Sequence, residues 1–520
     1  MSMLRERSTH LDLILASLRR FGPKTAFIAD NETLTYAQSG ERLARWASAL
    51  VALGARPGDG FGLLSPNRPE VWFGQTVPAL IGARYTALHP MGSLEDHLHM
   101  CREAELRFLF VDPAFAERAQ TLLDQSGTVQ HVLSFGPGAC GQDIHLLASR
   151  AAANPLPRTA GTPEQLSWLL YTGGTTGVPK SAMLPERALA QMAFSVATGW
   201  DLPRDRRYLA VAPISHAAGM MVVPTLMTGG TVVLQKGWDP QRWLDGVREH
   251  RATMSLLVPT MIYALLDSPG LDEADLSTLQ TIMYGASPMA PARLIEGIRR
   301  IGPVFSQLYG QTECAGITSC LWREQHDVGD EARLLSCGQV MPGARMAILD
   351  DDSRELPPNE PGEICVQGPT VMDGYWRRDD LTETTLVNGW LRTGDVGIID
   401  PDGFLTIVDR KKDMIVSGGF NVFPREIEDV IMRDESVSAA AVIGVPDDKW
   451  GEAVKALVVA RPGQQIDAQR IVEAVREAKG SIYAPKSVEV VDALPLTAVG
   501  KPDKKVLRAR YWAGKARAVN

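Results

Sequence analysis

The chain has 520 residues, of which 45% are hydrophobic and 22% are charged, and its formal net charge at pH 7 is -8. A chain of this length and apolar content can bury large cores and is expected to form several structural units. Its acidic balance, with no long run of lysine or arginine, argues against a nucleic-acid-binding surface and against a polybasic membrane patch. Small molecules are therefore the expected partners.

The amino-terminal segment predicts an amphipathic helix that docks on a core. Apolar residues recur near helical spacing at Leu11, Leu13, Ile14 and Leu18. The apolar run is too short and interrupted for a signal peptide or a transmembrane segment, and although such a helix can lie on a membrane, docking on a core is its more usual meaning. Six cysteines without a C-x-x-C pair indicate neither a zinc site nor a disulfide framework. We therefore expect a cytoplasmic protein without a transmembrane segment.

Alternating strand and helix patterns predict an α/β protein. Between about residues 165 and 310, helical patterns alternate with the strand-like runs RYLAVAP, TVVL, TMSLLVP, LQTIMYG and VFSQLYG. The stretch from residue 26 to about 133 repeats this rhythm, so we expect two doubly wound α/β subdomains. From about 335 to 409, short strands separated by glycine- and proline-containing turns predict a small β-rich subdomain.

A charged segment, DRKKD at residues 409–413, predicts a hinge between two domains. Residues 1–409 are expected to form a large N-terminal domain. Residues 410–520 carry a self-contained pattern of strands and helices, and predict a small, mobile α+β C-terminal domain.

The stretch YTGGTTGVPK, from Tyr171 to Lys180, follows the strand-like run LSWLLY. Its glycines let successive backbone N–H groups converge on an anion, and its threonines and lysine add further donors, which favours a phosphate-binding loop. It is not a Walker loop, because Pro179 stands where that motif requires glycine. Taken alone, the stretch fits an ordinary glycine-rich turn about equally well.

Seven motifs follow one another along the chain: YTGGTTGVPK, APISHAAGM, YGASPMAP, YGQTE, RTGD, DRKKDMIVSGGFNVFPREIE and PLTAVGK. Together they resemble the adenylate-forming (AMP-binding) superfamily, which comprises acyl-CoA synthetases, firefly-type luciferases and peptide-synthetase adenylation domains. The resemblance covers nearly the whole chain. Because chance does not produce seven motifs in the right order, phosphate binding becomes the favoured interpretation of the glycine-rich loop.

The resemblance implies an enzyme that activates a carboxylic acid with ATP. The acid must attack the α-phosphate, yet two like charges 4 Å apart repel by about 1 kcal/mol in water and by more inside a protein, so cations and oriented donors are needed. The ATP- and AMP-binding residues that the resemblance implies are Thr172, Gly173, Gly174, Thr175, Thr176, Gly177, Lys180, Gly285, Ala286, Ser287, Tyr309, Gly310, Gln311, Asp395 and Arg410.

The implied catalytic residues are Thr312, Glu313, Lys501 and His216. Thr312 would contact the α-phosphate, Glu313 would bind Mg²⁺, and Lys501 would reach in from the C-terminal domain to bridge the acid and the α-phosphate. Taken singly, each residue also fits a structural role: a solvated lysine, a helix-capping glutamate, a turn aspartate at Asp395 or a core histidine. The ordered motif set outweighs these alternatives.

A second half-reaction, in which a thiol attacks the acyl-adenylate, is also implied by the resemblance. The C-terminal domain would act as a lid that swings about Lys412. That movement would replace the Lys501 loop with a CoA tunnel formed by Ser417, Gly418 and Gly419, where glycine lets a pantetheine arm pass close to the backbone. Lys412 stands where aspartate is frequent in the family.

The implied acyl pocket consists of His216, Ala217, Ala218, Gly219, Met220 and Tyr284. The segment from Ile214 to Val223 contains one ionisable residue, His216, and no acidic residue that could pair with an amine, so the substrate is expected to be a fatty or aromatic monocarboxylic acid. No carrier-domain motif follows Lys501, which makes CoA the simplest acceptor.

The predicted function is that of an AMP-forming acyl-CoA ligase using ATP, Mg²⁺ and CoA. The alternatives are an adenylating enzyme that loads a carrier protein or oxidises the acyl group, and a nucleotide-binding protein without catalysis; a homodimer is a further possibility. The sequence departs from the family pattern at three residues, namely Gly173 for serine, Ser181 for glycine and Glu186 for histidine.

Overall fold

The computed structural model describes residues 8–30, 32–157, 161–172, 179–410, 413–417, 420–447, 450–497 and 501–512, with the backbone alone at residues 410 and 421. The helices are α1 His10–Arg20, α2 Tyr36–Ala52, α3 Pro69–Ile81, α4 Leu94–Glu103, α5 Ala116–Gln125, α6 Ile144–Arg150, α7 Glu186–Gly199, α8 Val222–Leu226, α9 Pro240–His250, α10 Pro259–Leu266, α11 Pro291–Ile301, α12 Glu331–Leu335, α13 Asp379–Thr385, α14 Pro424–Ile431, α15 Ala468–Lys479 and α16 Lys504–Ala509.

The strands are β1 Thr25–Ala29, β2 Glu32–Thr35, β3 Gly60–Leu64, β4 Arg84–Ala87, β5 Leu106–Val111, β6 His131–Ser134, β7 Gln142–Asp143, β8 Leu166–Thr172, β9 Lys180–Pro185, β10 Arg207–Ala210, β11 Thr231–Leu234, β12 Met254–Leu257, β13 Thr281–Gly285, β14 Phe305–Tyr309, β15 Ser319–Leu321, β16 Gln339–Val340, β17 Arg345–Leu349, β18 Gly362–Gln367, β19 Leu386–Val387, β20 Trp390–Ile399, β21 Leu405–Arg410, β22 Ile415–Ser417, β23 Phe420–Val422, β24 Val437–Asp447, β25 Gly451–Ala460 and β26 Ser487–Val490.

Two large sheets form the α/β part of the molecule, which confirms the predicted fold class. One has seven strands in the order β7-β6-β5-β3-β4-β8-β9, and the other has nine in the order β16-β15-β14-β13-β12-β10-β11-β1-β2. Their central strands are parallel and fully buried, as in β3, β12 and β13. Such strands need helices on both faces, which the alternating chain supplies.

The two large sheets do not follow the two contiguous chain segments that the strand–helix rhythm suggested. The early strand β1 pairs in parallel with β11 of the nine-stranded sheet, and the later strands β8 and β9 complete the seven-stranded sheet. Apolar run length shows where a strand lies but not which strand it pairs with, because that choice depends on non-local packing. The β8–β9 hairpin, which carries the phosphate-loop motif, therefore lies in the same sheet as the early strands β3 to β7.

Two smaller sheets follow. Strands β17, β18, β19, β20 and β21 form an antiparallel five-stranded sheet, and β22 to β26 form a second five-stranded sheet in which only the β25–β26 pair is parallel. The fourth sheet packs with α14 and α15 around an apolar cluster that includes Ile427, Val442 and Val475, and Ala290 from the turn before α11 also joins this cluster. Among the described residues, no helix is long and apolar enough to cross a bilayer.

Glu186 fastens the amino-terminal helix to the fold. This first residue of α7 is completely buried, and its Oε2 accepts the Leu11 amide at 2.8 Å, with the His10 amide also directed at the carboxylate. Burial raises the pKa of Glu186, while these amides oppose the shift. The first amides of a helix have no acceptor within the helix, and Glu186 supplies one to α1. The departure at residue 186 thus has a structural explanation.

We predict that Glu186→Ala lowers the free energy of unfolding by about 2 kcal/mol, because two buried amides lose their acceptor. The measurement is urea denaturation followed by tryptophan fluorescence. Glu117→Ala, which changes an exposed residue of α5, is the control. Equal denaturation midpoints for the two variants would contradict this role of Glu186.

Candidate active site

The carboxylate of Glu313 lies where two strands of the seven-stranded sheet reach a turn of the nine-stranded sheet. Glu313 belongs to a short 3₁₀ turn, Thr312–Cys314, that directly follows β14. Its Oε1 accepts a hydrogen bond from Thr172 Oγ1 at 3.4 Å and lies 3.8 Å from Lys180 Nζ. Burial lowers the pKa of Lys180, whereas Glu313 opposes that shift. An ammonium, a hydroxyl and a carboxylate within 4 Å suit a metal–polyphosphate group.

Tyr375 completes this cluster and was not found by sequence reasoning. Its buried hydroxyl donates to Glu313 Oε1 at 2.8 Å, and Lys180 Nζ donates to the same phenol oxygen. Burial and the facing carboxylate raise the pKa of Tyr375 well above its usual value, so the phenol stays protonated. In the sequence Tyr375 belongs to the turn DGYW, 62 residues beyond Glu313, and no local pattern links the two residues.

Asp395 anchors the second polar group of the site. Its Oδ2 accepts hydrogen bonds of 2.8 Å from both the Tyr309 hydroxyl and Gln311 Nε2. Gln311 Nε2 also donates to the carbonyl of Thr393 at 2.9 Å, and the backbone of Arg410 pairs with Asp395 in the β20–β21 ladder. Burial and the Asp395 carboxylate raise the pKa of Tyr309 well above its usual value. The structure thus brings together residues that the motifs YGQTE and RTGD contribute.

The turns after β13 and β14 lie side by side, because Gly285 pairs with Leu308 in the sheet. A Cβ atom at Gly285 would lie 2.3 Å from the Leu308 carbonyl oxygen, and one at Gly310 would lie 2.3 Å from the Gly316 carbonyl oxygen. Both positions therefore require glycine. Ala286 has a φ of +64°, a conformation uncommon for a non-glycine residue, and the half-buried Ser287 follows it in the same turn. Ligands bind at such carboxyl ends of parallel strands.

The predicted acyl loop continues from β10 into the 3₁₀ helix Ala217–Met221. A Cβ at Gly219 would lie 2.1 Å from the Ile214 carbonyl oxygen, so the loop can fold this tightly only with glycine there. Ala218 and Met220 are buried, whereas Ala217 is exposed. A Cβ at Gly316 would lie 2.9 Å from the methyl carbon of Met220, so this loop packs directly on the turn that carries Glu313.

His216 lies in a histidine cluster that the sequence motifs did not indicate. The ring centroid of His89 lies 4.6 Å from that of His216, with the two planes at 69°, and Ser215 Oγ is 2.9 Å from His216 Nδ1. Burial, with a smaller effect from His89, lowers the pKa of His216 to about 3. His216 is therefore neutral at neutral pH.

His97 fixes the backbone that carries His89. Its Nε2 lies 3.0 Å from the His89 carbonyl oxygen, and Arg118 donates to its Nδ1 at 3.1 Å. Since Nδ1 is the acceptor, the proton of His97 is on Nε2, which donates to that carbonyl. Burial lowers the pKa of His97 to about 4.

The structure does not place Tyr284 with the other predicted acyl-pocket residues. Its side chain is fully buried in a second core with Leu294 and Phe305, and its hydroxyl lies 2.9 Å from His326 Nε2. The preceding residue, Met283, faces the core that contains Met220. Successive side chains of a strand point to opposite faces of the sheet, which separates Tyr284 from the His216 loop.

Lys501 and Ser417 lie in the C-terminal part of the chain, beyond β21. The backbone of Lys501 is held by Thr497, whose Oγ1 accepts the Lys501 amide at 3.2 Å and whose amide donates to the Lys501 carbonyl at 2.7 Å. Ser417 ends β22 and pairs with Phe420 and Gly451. The remaining predicted residues lie outside the described part of the chain: Gly173, Gly174, Thr175, Thr176, Gly177, Lys412, Gly418, Gly419 and the side chain of Arg410.

Comparison with known proteins gives two family matches, an AMP-binding enzyme over residues 15–376 and an AMP-binding enzyme C-terminal domain over residues 426–501. The chain is 43% identical to the medium/long-chain-fatty-acid–CoA ligase FadD8 of Mycobacterium tuberculosis, over 99% of this chain and 92% of that protein. It is 36% identical to a feruloyl-CoA synthase of Amycolatopsis, over 95% of this chain and 97% of that protein. The amide bond synthetase McbA of Marinactinospora thermotolerans has a similar structure, with a TM-score of 0.88, 32% identity and coverage of 96% of this chain and 100% of the McbA chain.

We predict that the protein loses stability as the pH falls from about 6.5 towards 4, in part through His97. The pKa of His97 falls from 6.5 to about 4 on folding, so the unfolded chain binds more protons in that window and acid favours unfolding. Asp96, Arg118 and His89 face this ring. His97→Gln should weaken the pH dependence of the urea midpoint between pH 6.5 and 4. An unchanged slope in the variant would contradict the assignment.

Proposed function

Because this chain belongs to the AMP-binding enzyme family and is an AMP-forming acid–thiol ligase, we propose that it joins a hydrophobic monocarboxylic acid to CoA through an acyl-adenylate. The observation that carries the proposal is the pair of anchored carboxylates, Glu313 beside Lys180 and Asp395 beside Tyr309. Both pairs are assembled at the turn that follows β14. ATP bound there would have its phosphates at one end and its ribose at the other.

The polyphosphate end consists of Thr172, Lys180 and Glu313. The hydroxyl and the ammonium suit the β- and γ-phosphates, and Thr312, beside Glu313, would contact the α-phosphate. Glu313 fits Mg²⁺, because this ion is commonly bound by one carboxylate together with substrate phosphates and water. Among the described residues, no group of three or more histidine, cysteine, aspartate or glutamate side chains could form an all-protein metal centre. When bound, Mg²⁺ would act as a Lewis acid that offsets phosphate charge.

The nucleoside end is arranged around Asp395. Tyr309 and Gln311 donate to one of its oxygens and so orient the carboxylate, which would accept the ribose hydroxyls with help from Arg410. The adenine would lie against the turn containing Gly285 and Ala286. At Gly285 a Cβ would lie 2.3 Å from the Leu308 carbonyl oxygen, so glycine lets the two backbones approach closely beside this turn.

The acid end is apolar and neutral. With its pKa near 3, His216 carries no charge at neutral pH, and the loop from Ile214 to Val223 has no acidic side chain. A substrate ammonium would therefore lack a partner, whereas an uncharged alkyl or aryl tail would not be penalised. The relative with 43% identity is named for medium- and long-chain fatty acids and the relative with 36% identity for ferulate, which support the fatty and the aromatic class respectively.

The two half-reactions would share one lid. We assign residues 1–409 to the ATP- and acid-binding domain and 410–520 to the lid, with the hinge at Lys412. In the first step the Lys501 ammonium would offset the charge that develops between the acid and the α-phosphate. In the second step the lid would turn so that the Ser417–Gly419 segment faces the site and guides the CoA thiol to the adenylate.

A cytoplasmic location fits the cysteines of this chain. All six are buried free thiols, and burial raises the pKa of Cys101 and of Cys365 to about 12, so both remain protonated and unreactive. A homodimer stays a prediction that sedimentation velocity would test.

The experiment that tests this proposal measures pyrophosphate release from ATP across short to long fatty acids and benzoic and cinnamic acids, each with and without CoA. We expect release with one apolar class and, when CoA is present, conversion of the adenylate to thioester and AMP. Acid-dependent release that CoA leaves unchanged would reject CoA as acceptor and favour a carrier protein. No acid-dependent release would reject adenylation.

We predict that Lys501→Ala lowers the rate of adenylation at least roughly 100-fold, because the ammonium acts on charge that forms in that transition state. Thioester formation from supplied acyl-adenylate should change little. Lys505→Ala, an exposed neighbour on α16, is the matched control for both half-reactions. Equal losses in the two half-reactions would show that Lys501 does not have this role.

A further inference from the structure

Glu103 contacts both strands of the hairpin that carries the phosphate-loop motif. It is the last residue of α4, and its Oε2 accepts a hydrogen bond from the Tyr171 hydroxyl. Ser181 Oγ lies 3.2 Å from Oε2 and 3.5 Å from Oε1 of the same carboxylate, and donates to it. Tyr171 of β8 and Ser181 of β9 are direct partners in the antiparallel ladder. One carboxylate thus joins two opposed positions of one hairpin.

Trp376 binds the backbone carbonyls of both Glu103 and Ser181. Its indole N–H donates to the Glu103 carbonyl at 3.1 Å, and its amide donates to the Ser181 carbonyl at 2.9 Å. Trp376 follows Tyr375, whose hydroxyl binds Glu313. The Glu103 contacts are therefore continuous with the cluster at the polyphosphate end.

The position of Glu103 is electrostatically unfavourable for its helix. A carboxylate at the C-terminal end of a helix lies beside the partial negative charge of the last carbonyl groups. Two hydroxyl donors offset this cost. Ser181 is completely buried, and burial together with Glu103 raises the pKa of Tyr171 well above its usual value, so the phenol keeps its proton for donation. The AMP-binding family commonly has glycine at the position of Ser181. Glycine has no side-chain hydroxyl that could donate to Glu103.

The residues that Glu103 binds are the immediate neighbours of the polyphosphate ligands. Tyr171 precedes Thr172, and Ser181 follows Lys180. We propose that Glu103, acting through Tyr171 and Ser181, is a positioning residue that fixes the separation of Thr172 and Lys180 and thereby makes the site selective for the polyphosphate of ATP. This inference rests on the proposed function, because it assigns those two residues to the β- and γ-phosphates.

The direct test is calorimetric titration of the full-length protein with MgATP and, separately, with AMP. For Glu103→Gln and Ser181→Ala we expect the dissociation constant of MgATP to rise roughly three- to ten-fold, as for the loss of a charge-assisted hydrogen bond. The dissociation constant of AMP should stay within about two-fold, because AMP has no β- or γ-phosphate. Glu95→Gln, an exposed residue in the first turn of α4, is the matched control and should change neither value.

Kinetics provide a second readout. Both variants should raise KM for ATP more than they lower kcat, leave KM for the acid unchanged, and retain thioester formation from supplied acyl-adenylate. In the double variant Glu103→Gln/Ser181→Ala, the increases in KM for ATP should be less than additive, since both substitutions weaken the same hydrogen bond between Ser181 and Glu103. Ser181→Gly, which restores the residue common in the family, keeps the test informative if Glu103→Gln does not fold.

Three outcomes would overturn the inference. Equal weakening of ATP and AMP binding, or equal losses in both half-reactions, would show that Glu103 supports only the fold, and unchanged ATP binding would show that it does not position the ligands. If the wild-type protein releases no pyrophosphate with any acid but the contrast between ATP and AMP holds, the proposed function fails and the role of Glu103 stands.

Discussion

The site depends on an interaction between sheets: the contact of the Lys180 ammonium and the Thr172 hydroxyl with the Glu313 carboxylate. Lys180 and Thr172 come from the seven-stranded sheet, whereas Glu313 follows a strand of the nine-stranded sheet. Tyr375, which holds Glu313 and Lys180 together, comes from the segment between two strands of the small β-rich sheet. Three layers must therefore pack in one arrangement before these atoms come within 4 Å. Any change that shifts the sheets relative to each other also changes the polyphosphate end of the site.

Charge is distributed unevenly along the site. At the proposed polyphosphate end, Lys180 Nζ lies 3.8 Å from Glu313 Oε1. Beside the predicted acyl loop, burial lowers the pKa of His89, His97 and His216, so these three imidazoles are neutral at neutral pH. An interior that must accept both a polyanion and an apolar tail separates the two functions in this way, because a charge near the tail would raise the cost of desolvation.

Two departures from the family pattern have structural partners in this chain. Glu186 receives the first amides of α1, and Ser181 donates to Glu103. The side chains of Glu186 and Ser181 are completely buried, and the hydrogen-bond partner of each lies at least 78 residues away in the chain. Such substitutions persist when a second residue supplies the missing hydrogen-bond partner, because an unpaired buried polar group would be costly. The departure at Gly173 lies outside the described residues.

The sequence by itself determined the fold class and the position of many helices and strands, and it proposed the site residues. Helix periodicity and apolar runs located α1, α11 and β8, and the motif order identified Glu313 and Asp395, since these signals lie within about ten neighbouring residues. Tertiary structure alone decided that β1 joins the nine-stranded sheet and that Tyr284 faces a different core from the His216 loop. It also decided that Glu103 contacts Ser181, that His89 contacts His216 and that Tyr375 contacts Glu313. These outcomes depend on contacts between residues far apart in the chain, such as the 141 residues between Thr172 and Glu313, and such contacts arise from the packing of whole sheets rather than from local pattern.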